Sequence, residues 1–104
     1  VSGESDQYRL LLNEYSGTAG DSMDHTSGHR FSTVDRDNDV LSQQCSHRYG
    51  QSGWWFTACG GSALNGRYLG DCENVCPIYE GVLWSSWAGG RYSLKSVSMK
   101  IRPY

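Results

Sequence analysis

Phe31-Ser-Thr-Val-Asp-Arg-Asp-Asn-Asp39, followed by Cys45, Gly53-Trp-Trp-Phe56 and Cys59, is the stretch on which the reading of this chain turns. It puts three carboxylates, Asp35, Asp37 and Asp39, on alternate positions. Carboxylates gathered on one loop repel unless a hard cation neutralises them, and calcium takes six to eight oxygen ligands. The pattern D-x-D-x-D opens an EF-hand loop, but the sixth position is Val40 rather than Gly and the twelfth is Ser46 rather than Glu. No helical periodicity flanks the run, so the EF-hand is rejected. Two readings survive on spacing alone. One is a calcium loop completed by backbone carbonyls further on, and the other is a solvated acidic turn of the kind Asp and Asn favour.

The cysteines around this stretch set the compartment. Cys45, Cys59, Cys72 and Cys76 are an even number in 104 residues. That reads as two disulfides and an extracellular, secreted setting. Of three possible connectivities, the nearest-neighbour pairing Cys45–Cys59 and Cys72–Cys76 is preferred. Chain entropy gives the longer loop about 3 kcal/mol and the shorter about 2 kcal/mol. The rival is a four-thiolate zinc site. Cys72 and Cys76 have knuckle spacing, but Cys45 and Cys59 lie too far apart to form the second pair. Val1 opens a polar segment without leader character, which points to a mature or excised piece.

Composition narrows the class further. Leu, Ile, Val and Phe together supply 18 residues, while 4 Trp, 7 Tyr and 13 Gly are present. Each aromatic ring buries roughly 150–250 Å². The chain is therefore expected to fold as one domain around rings and cross-links rather than an aliphatic interior. No stretch approaches the roughly 20 apolar residues of a membrane span, so no membrane insertion is expected. With 9 basic against 11 acidic residues and no basic cluster, no nucleic-acid partner is expected either.

Along the chain, Tyr8–Asn13, Phe31–Thr33, Gly81–Trp87 and Tyr92–Pro103 are the strand candidates, and Asn65-Gly66 marks a turn. Trp54–Ala58 reads as a buried aromatic strand or turn. The adjacent Trp54 and Trp55 would point to opposite sides, one inward and one towards a ligand. Trp84, Trp87, Tyr92 and Met99 read as core. His25 and His29 are four apart, but the intervening Thr-Ser-Gly argues against a helix and so against a metal pair. No G-x-S-x-G elbow occurs and no catalytic residue is assigned, so the chain is not read as an enzyme.

Together, the run Phe31–Asp39, Cys45, Gly53–Phe56, Cys59, Leu64-Asn-Gly-Arg-Tyr68, Trp84-Ser-Ser-Trp87, Tyr92-Ser-Leu-Lys95 and Met99–Pro103 resembles the fibrinogen-related domain. The likeness runs from Tyr8 onward and covers the C-terminal half of that domain. It implies an α+β, loop-rich fold with short antiparallel strands and few helices over residues 1–104. It places a calcium loop at 35–43 and a ligand-pocket region at 45–81. By the same resemblance, Asp37 and Asp39 would ligate Ca2+ through their carboxylates, with the backbone carbonyls of Leu41 and Gln43 completing the set.

The resemblance also assigns Cys45–Cys59 as the disulfide beside the ligand pocket. It implies a cis peptide at Ala58–Cys59 that aims the N–H groups of Cys59 and Gly60 at an acetyl carbonyl. Tyr49 and Tyr79 would then be aromatic walls, with His47 nearby. Ficolin- and tachylectin-like members bind acetyl groups there, which implies an innate-immune lectin for acetylated or related glycans on microbial surfaces. Because one small acetyl group buries few atoms, useful binding needs several copies, so a homo-oligomer is expected of the full-length protein. Gly60 stands where such members often carry His and is shared with angiopoietin-like members. The alternative implied is therefore a protein-binding module, either receptor-binding or peptide-end-binding.

Overall fold

The computed structural model describes residues 1–39 and 45–101. Regular structure is sparse. A 3-10 turn at Glu4–Asp6 is followed by a single helical turn α1 (Cys45–Arg48), strand β1 (Ser62–Ala63), strand β2 (Leu83–Trp84) and a second helical turn α2 (Ser85–Ala88). The two strands pair antiparallel, Ser62 opposite Trp84 and Ala63 opposite Leu83. Isolated antiparallel bridges join Ser32 to Trp54 and Thr33 to Arg36.

Loop-to-loop hydrogen bonds do the work that ladders do elsewhere. Leu10 N–H donates to the His29 carbonyl at 3.0 Å, and Leu94 N–H donates to the Val82 carbonyl at 2.9 Å. Trp55 Nε1 reaches the Tyr8 carbonyl at 2.7 Å, and Trp84 Nε1 reaches the Gly20 carbonyl at 2.8 Å. The Ser22 hydroxyl accepts the Ser86 N–H at 2.9 Å. Short polar side chains thus tie chain segments more than sixty residues apart, which explains how so few apolar residues hold so many loops.

The core is aromatic, as the composition implies. Trp54 and Phe56 are fully buried, and Tyr49, Trp55, Leu10, Ala63, Leu83, Cys45 and Cys59 complete the cluster. Trp54 and Trp55 meet edge to face at 5.2 Å, and Phe31 meets Trp55 at 5.2 Å. Such contacts add about 0.5–1.5 kcal/mol beyond area burial. Both tryptophans are core, so neither walls a ligand site, contrary to the alternation argument. Of the two, Trp54 alone forms a bridge, and no strand runs through the pair. Cys45–Cys59 and Cys72–Cys76 are both disulfides, each with its Cα atoms 5.3 Å apart.

Several expected strands are absent as strands. Tyr8 lies in a turn at φ 55° and residues 9–13 form no strand; of the expected inward face Tyr8, Leu10 and Leu12 only Leu10 is buried. Residues 92–101 likewise form no strand. Gly81–Trp87 is strand only at Leu83–Trp84 before it turns into α2. Asn65-Gly66 does form a turn, closed by Gly66 N–H to the Ala63 carbonyl at 3.1 Å. A side chain at Gly66 would collide with the Gly81 carbonyl, so glycine is required there by close approach of backbone. Trp87 is 58% exposed and Met99 is exposed, so both depart from the core reading. Met99 lines a groove of about 460 Å³ with Leu11, Leu12 and Ile101, while Trp87 and Val97 line a second groove of about 270 Å³. No described helix is long and apolar enough to cross a membrane.

Candidate functional site

A cleft of about 420 Å³ opens between α1, the segment leading into β1, and the loop that follows the Cys72–Cys76 disulfide. It is lined by His25, Arg48, Tyr49, the run from Thr57 to Gly61, and Tyr79. The disulfide sets its floor. Cys45 begins α1, whose first carbonyl accepts the Tyr49 N–H at 2.9 Å, and Cys45 is covalently joined to Cys59 in the facing segment. The peptide between Ala58 and Cys59 is cis. Gly60 follows at φ +119°, a conformation that favours glycine, although no atom would crowd a side chain there more closely than 3.7 Å. Backbone geometry, rather than lack of room, selects the glycine.

Two tyrosines form the wall. Tyr49 and Tyr79 stack with ring centroids 5.2 Å apart and planes 11° from parallel. Tyr49 also meets Phe56 edge to face at 5.4 Å, and its hydroxyl donates to the Gly60 carbonyl at 2.9 Å. It is 5% exposed and belongs to the core as much as to the cleft. Tyr79 is 37% exposed and sits in the left-handed region at φ 62°, held by its N–H to the Gly90 carbonyl at 2.8 Å. A side chain at Gly90 would meet the Tyr79 ring at 2.6 Å, so Gly90 is the seat on which that wall rests.

Burial pushes the Tyr49 phenol above its ordinary pKa. The neighbouring Tyr79 adds to the rise and the Arg48 charge opposes it. The cleft is also unbalanced in hydrogen-bond character. The carbonyls of Cys59, Gly60 and Gly61 are engaged by Thr57 N–H, the Tyr49 hydroxyl and both donors of Ser85 respectively. Among the described residues, the N–H groups of those same three residues donate to nothing.

Of the ligand residues expected from sequence, Tyr49, Cys59, Gly60 and Tyr79 lie together in this cleft. His47 is exposed on α1 and does not line it. Arg48, Thr57 and Gly61 line the cleft without having been singled out; His25, considered only for a metal pair, and Ala58, named only for the cis peptide, line it as well. Arg48 was within reach of sequence reasoning as the neighbour of Tyr49. His25 arrives from a distant loop and carried no signal.

Asp37 and Asp39 are on the loop that precedes α1. The Asp37 carboxylate accepts the Asp39 N–H at 3.0 Å, and the Asp39 carboxylate accepts the Cys45 N–H at 2.9 Å. Asp35 is engaged by the Thr33 hydroxyl at 2.6 Å, which holds its carboxyl below the usual range. Leu41 and Gln43 lie outside the described residues. Asp37 and Asp39 are two oxygen donors two residues apart on one loop, and among the described residues no group of three or more His, Cys, Asp or Glu side chains is gathered as a metal would need.

The sequence profile described as fibrinogen beta and gamma chains, C-terminal globular domain, matches residues 1–104. The chain belongs to the fibrinogen C-terminal globular domain family. It is similar to fibrinogen C domain-containing protein 1 of Homo sapiens, 48% identical over 103 residues, covering 99% of this chain and 22% of that protein. It is similar to techylectin-5A of Tachypleus tridentatus, 42% identical over 103 residues, covering 99% of this chain and 34% of that protein. Among solved structures, the fibrinogen-like globe domain of human ANGPTL2 superimposes with a TM-score of 0.81 at 45% identity, covering 90% of this chain and 43% of that one. The fold of this fibrinogen-type domain is thus the fibrinogen-like globe fold, and the chain spans less than half of that solved globe.

Proposed function

We propose that this domain is a secreted, calcium-stabilised recognition module that binds acetylated or related glycans on microbial surfaces. The observation that carries the reading is the cleft itself. A stacked tyrosine pair stands beside adjacent backbone N–H groups that have no partner among the described residues. Such donors suit an acetyl carbonyl, and the ring faces suit its methyl group. The similarity to techylectin-5A, a lectin by name, supports the same reading. The module binds and does not catalyse.

Calcium would be held by Asp37 and Asp39, with Leu41 and Gln43 as carbonyl ligands. Bound there, it would supply charge neutralisation and order to the loop. Asp39 accepts the Cys45 N–H, and Cys45 is bonded to Cys59 in the cleft. Order at the acidic loop would therefore reach the cleft through one hydrogen bond and one disulfide. A single small acetyl group buries few atoms, so single-site affinity is weak. Useful avidity calls for several copies, hence a homo-oligomeric full-length protein.

Retention on acetylated resin, with and without a chelator, tests the reading. Tyr79→Ala is the variant of choice, because Tyr79 is a wall residue outside the core cluster. Loss of one aromatic contact predicts about three- to tenfold weaker retention. Retention of the Tyr79→Ala chain at the wild-type level would remove the cleft as the binding site. A second reading, a receptor-binding or peptide-end-binding protein module, is favoured by the apolar residues beside Tyr79. Val75 is 80% exposed and Ile78 is also exposed.

A further inference from the structure

We propose that the Cys72–Cys76 disulfide is a redox latch on the cleft: a dithiol reductant opens it while Cys45–Cys59 stays closed, and the Tyr79 wall then leaves the Tyr49 ring. The proposal concerns the wall itself and holds whatever the cleft binds. Accessibility separates the two bridges. Cys45 and Cys59 are both buried, whereas Cys72 is only half-buried. Thiol–disulfide exchange needs a thiolate to reach a sulfur, so Cys72 is the point of entry. The Cys72–Cys76 ring also closes around Glu73, which is held in the left-handed region at φ 51° although it is not glycine. Such a backbone persists only where its surroundings fix it, and the bridge spans that residue. Exposed and strained bridges are the ones most readily reduced.

Charge sets the direction of opening. Asp71 and Glu73 flank Cys72 in the chain, whereas Arg91 Nη1 donates to the Cys76 carbonyl at 3.5 Å. A neighbouring cation favours a thiolate, and a favoured thiolate leaves faster. The thiolate of the reductant therefore bonds to Cys72 Sγ. The S–S bond breaks with its electron pair going to Cys76 Sγ, which takes up a proton. The second thiol of the reductant, deprotonated, then attacks its own sulfur in the mixed disulfide and expels Cys72, which is protonated in turn. The cysteine pair gains two electrons and two protons, and the dithiol becomes a disulfide.

The Tyr79 wall hangs on this bridge. Of residues 71–79 only Cys76 is buried. Val75, Ile78 and Tyr79 are all exposed, so no apolar anchor stands in for the bridge. Two backbone bonds join the segment to residues 90–91, Cys76 N–H to the Arg91 carbonyl at 3.1 Å and Tyr79 N–H to the Gly90 carbonyl at 2.8 Å. Tyr79 itself sits at φ 62°, so opening the bridge lets two strained residues relax together. Segments with few buried contacts open at low cost.

The test treats the folded chain with dithiothreitol, quenches with an alkylating agent and maps the label by peptide mass. Cys72 and Cys76 are expected to be labelled at least about tenfold faster than Cys45 and Cys59. A monothiol probe, which cannot resolve its adduct, is expected to be trapped on Cys72. In NMR, the cross-relaxation between the Tyr49 and Tyr79 rings is expected in the oxidised chain, lost on reduction and regained on reoxidation, with the Trp54 and Phe56 signals unchanged. Cys72→Ala/Cys76→Ala is expected to show the reduced pattern without reductant. Equal or earlier labelling of Cys45 and Cys59 would overturn the proposal, as would a trapped adduct on Cys76 or a Tyr49–Tyr79 contact that survives reduction. Collapse of the Trp54 signals would overturn it too, because the bridge would then hold the fold rather than the wall. No readout uses a sugar, so failure of the glycan reading is a separate result.

Discussion

Removing one oxygen from Tyr49 separates the two duties of that residue. Tyr49→Phe keeps the stack on Tyr79 and the edge contact with Phe56, and it deletes only the hydroxyl that donates to the Gly60 carbonyl at 2.9 Å. A neutral hydrogen bond contributes about 0.5–1.5 kcal/mol net, and a carbonyl left short of its donor costs somewhat more. A loss of about 1–2 kcal/mol is therefore expected. For a domain of this size that lowers the melting temperature by about 5–10 °C. The pH dependence gives a second, independent reading. The folded-state phenol has a pKa above its ordinary 10, mainly through burial. An unfolded chain then loses this proton first, so the contribution is fully present below pH 10 and is lost as pH rises towards the folded-state value. Urea denaturation of wild type and Tyr49→Phe at a series of pH values from 8 to 11 is the assay. The stability gap between the two proteins is expected to narrow above pH 10. A Tyr49→Phe chain as stable as wild type at pH 8, or a gap that stays constant with pH, would refute this account of the hydroxyl. Tyr49→Ala removes the ring as well and is expected to cost about 3–5 kcal/mol. That approaches the whole stability of a small domain, so it is a poor variant for binding work.

Further expectations follow from the same geometry. Gly66→Ala is expected to destabilise by about 1–3 kcal/mol in chemical denaturation, because its methyl would meet the Gly81 carbonyl and backbone must shift. Gly90→Ala would press on the Tyr79 ring, so it should weaken binding to acetylated resin while changing the denaturation midpoint little; an unchanged retention would show that Gly90 does not set the wall. Calcium at a hundredfold excess over its dissociation constant is expected to stabilise by about 2.7 kcal/mol relative to chelator. Asp37→Ala should abolish that difference, and a wild-type melting curve indifferent to calcium would remove the metal. Leu83→Ala, at a site 1% exposed in β2, is expected to cost about 2–5 kcal/mol by equilibrium unfolding.

How much of this was legible depends on what each residue answers to. The cysteine pairing followed from chain proximity, and the Asn65-Gly66 turn from local backbone preference, because both are short-range matters. The rings of Trp54, Trp55 and Phe56 had to be buried because little else could fill a core. The strands were not legible, since the hydrogen bonds of residues 8–13 and 92–101 go to scattered loop carbonyls and serine hydroxyls that leave no periodic trace. Trp87 was misread because an apolar residue type does not say which face of the chain it occupies. In the cleft, Tyr49 and the Cys59–Gly60 segment were found through motif resemblance. Arg48 was reachable as the neighbour of Tyr49, whereas His25 needed the tertiary arrangement, because no local pattern distinguishes a cleft-lining imidazole from a solvated one.

The exposure of Leu11, Leu12, Trp87, Val97, Met99 and Ile101 has a consequence for how affinity is measured. The accessible surface is 6689 Å², against about 5,800 Å² for a compact monomer of this mass. Exposed apolar area of this kind is where copies of a chain would adhere to one another or to a hydrophobic support at high local concentration. Crowded onto a sensor or a bead, such molecules behave as a raft. Slow release from that raft would report cohesion among neighbours as well as occupancy of the cleft. The intrinsic affinity of this domain is therefore the one measured in dilute solution, with each copy alone.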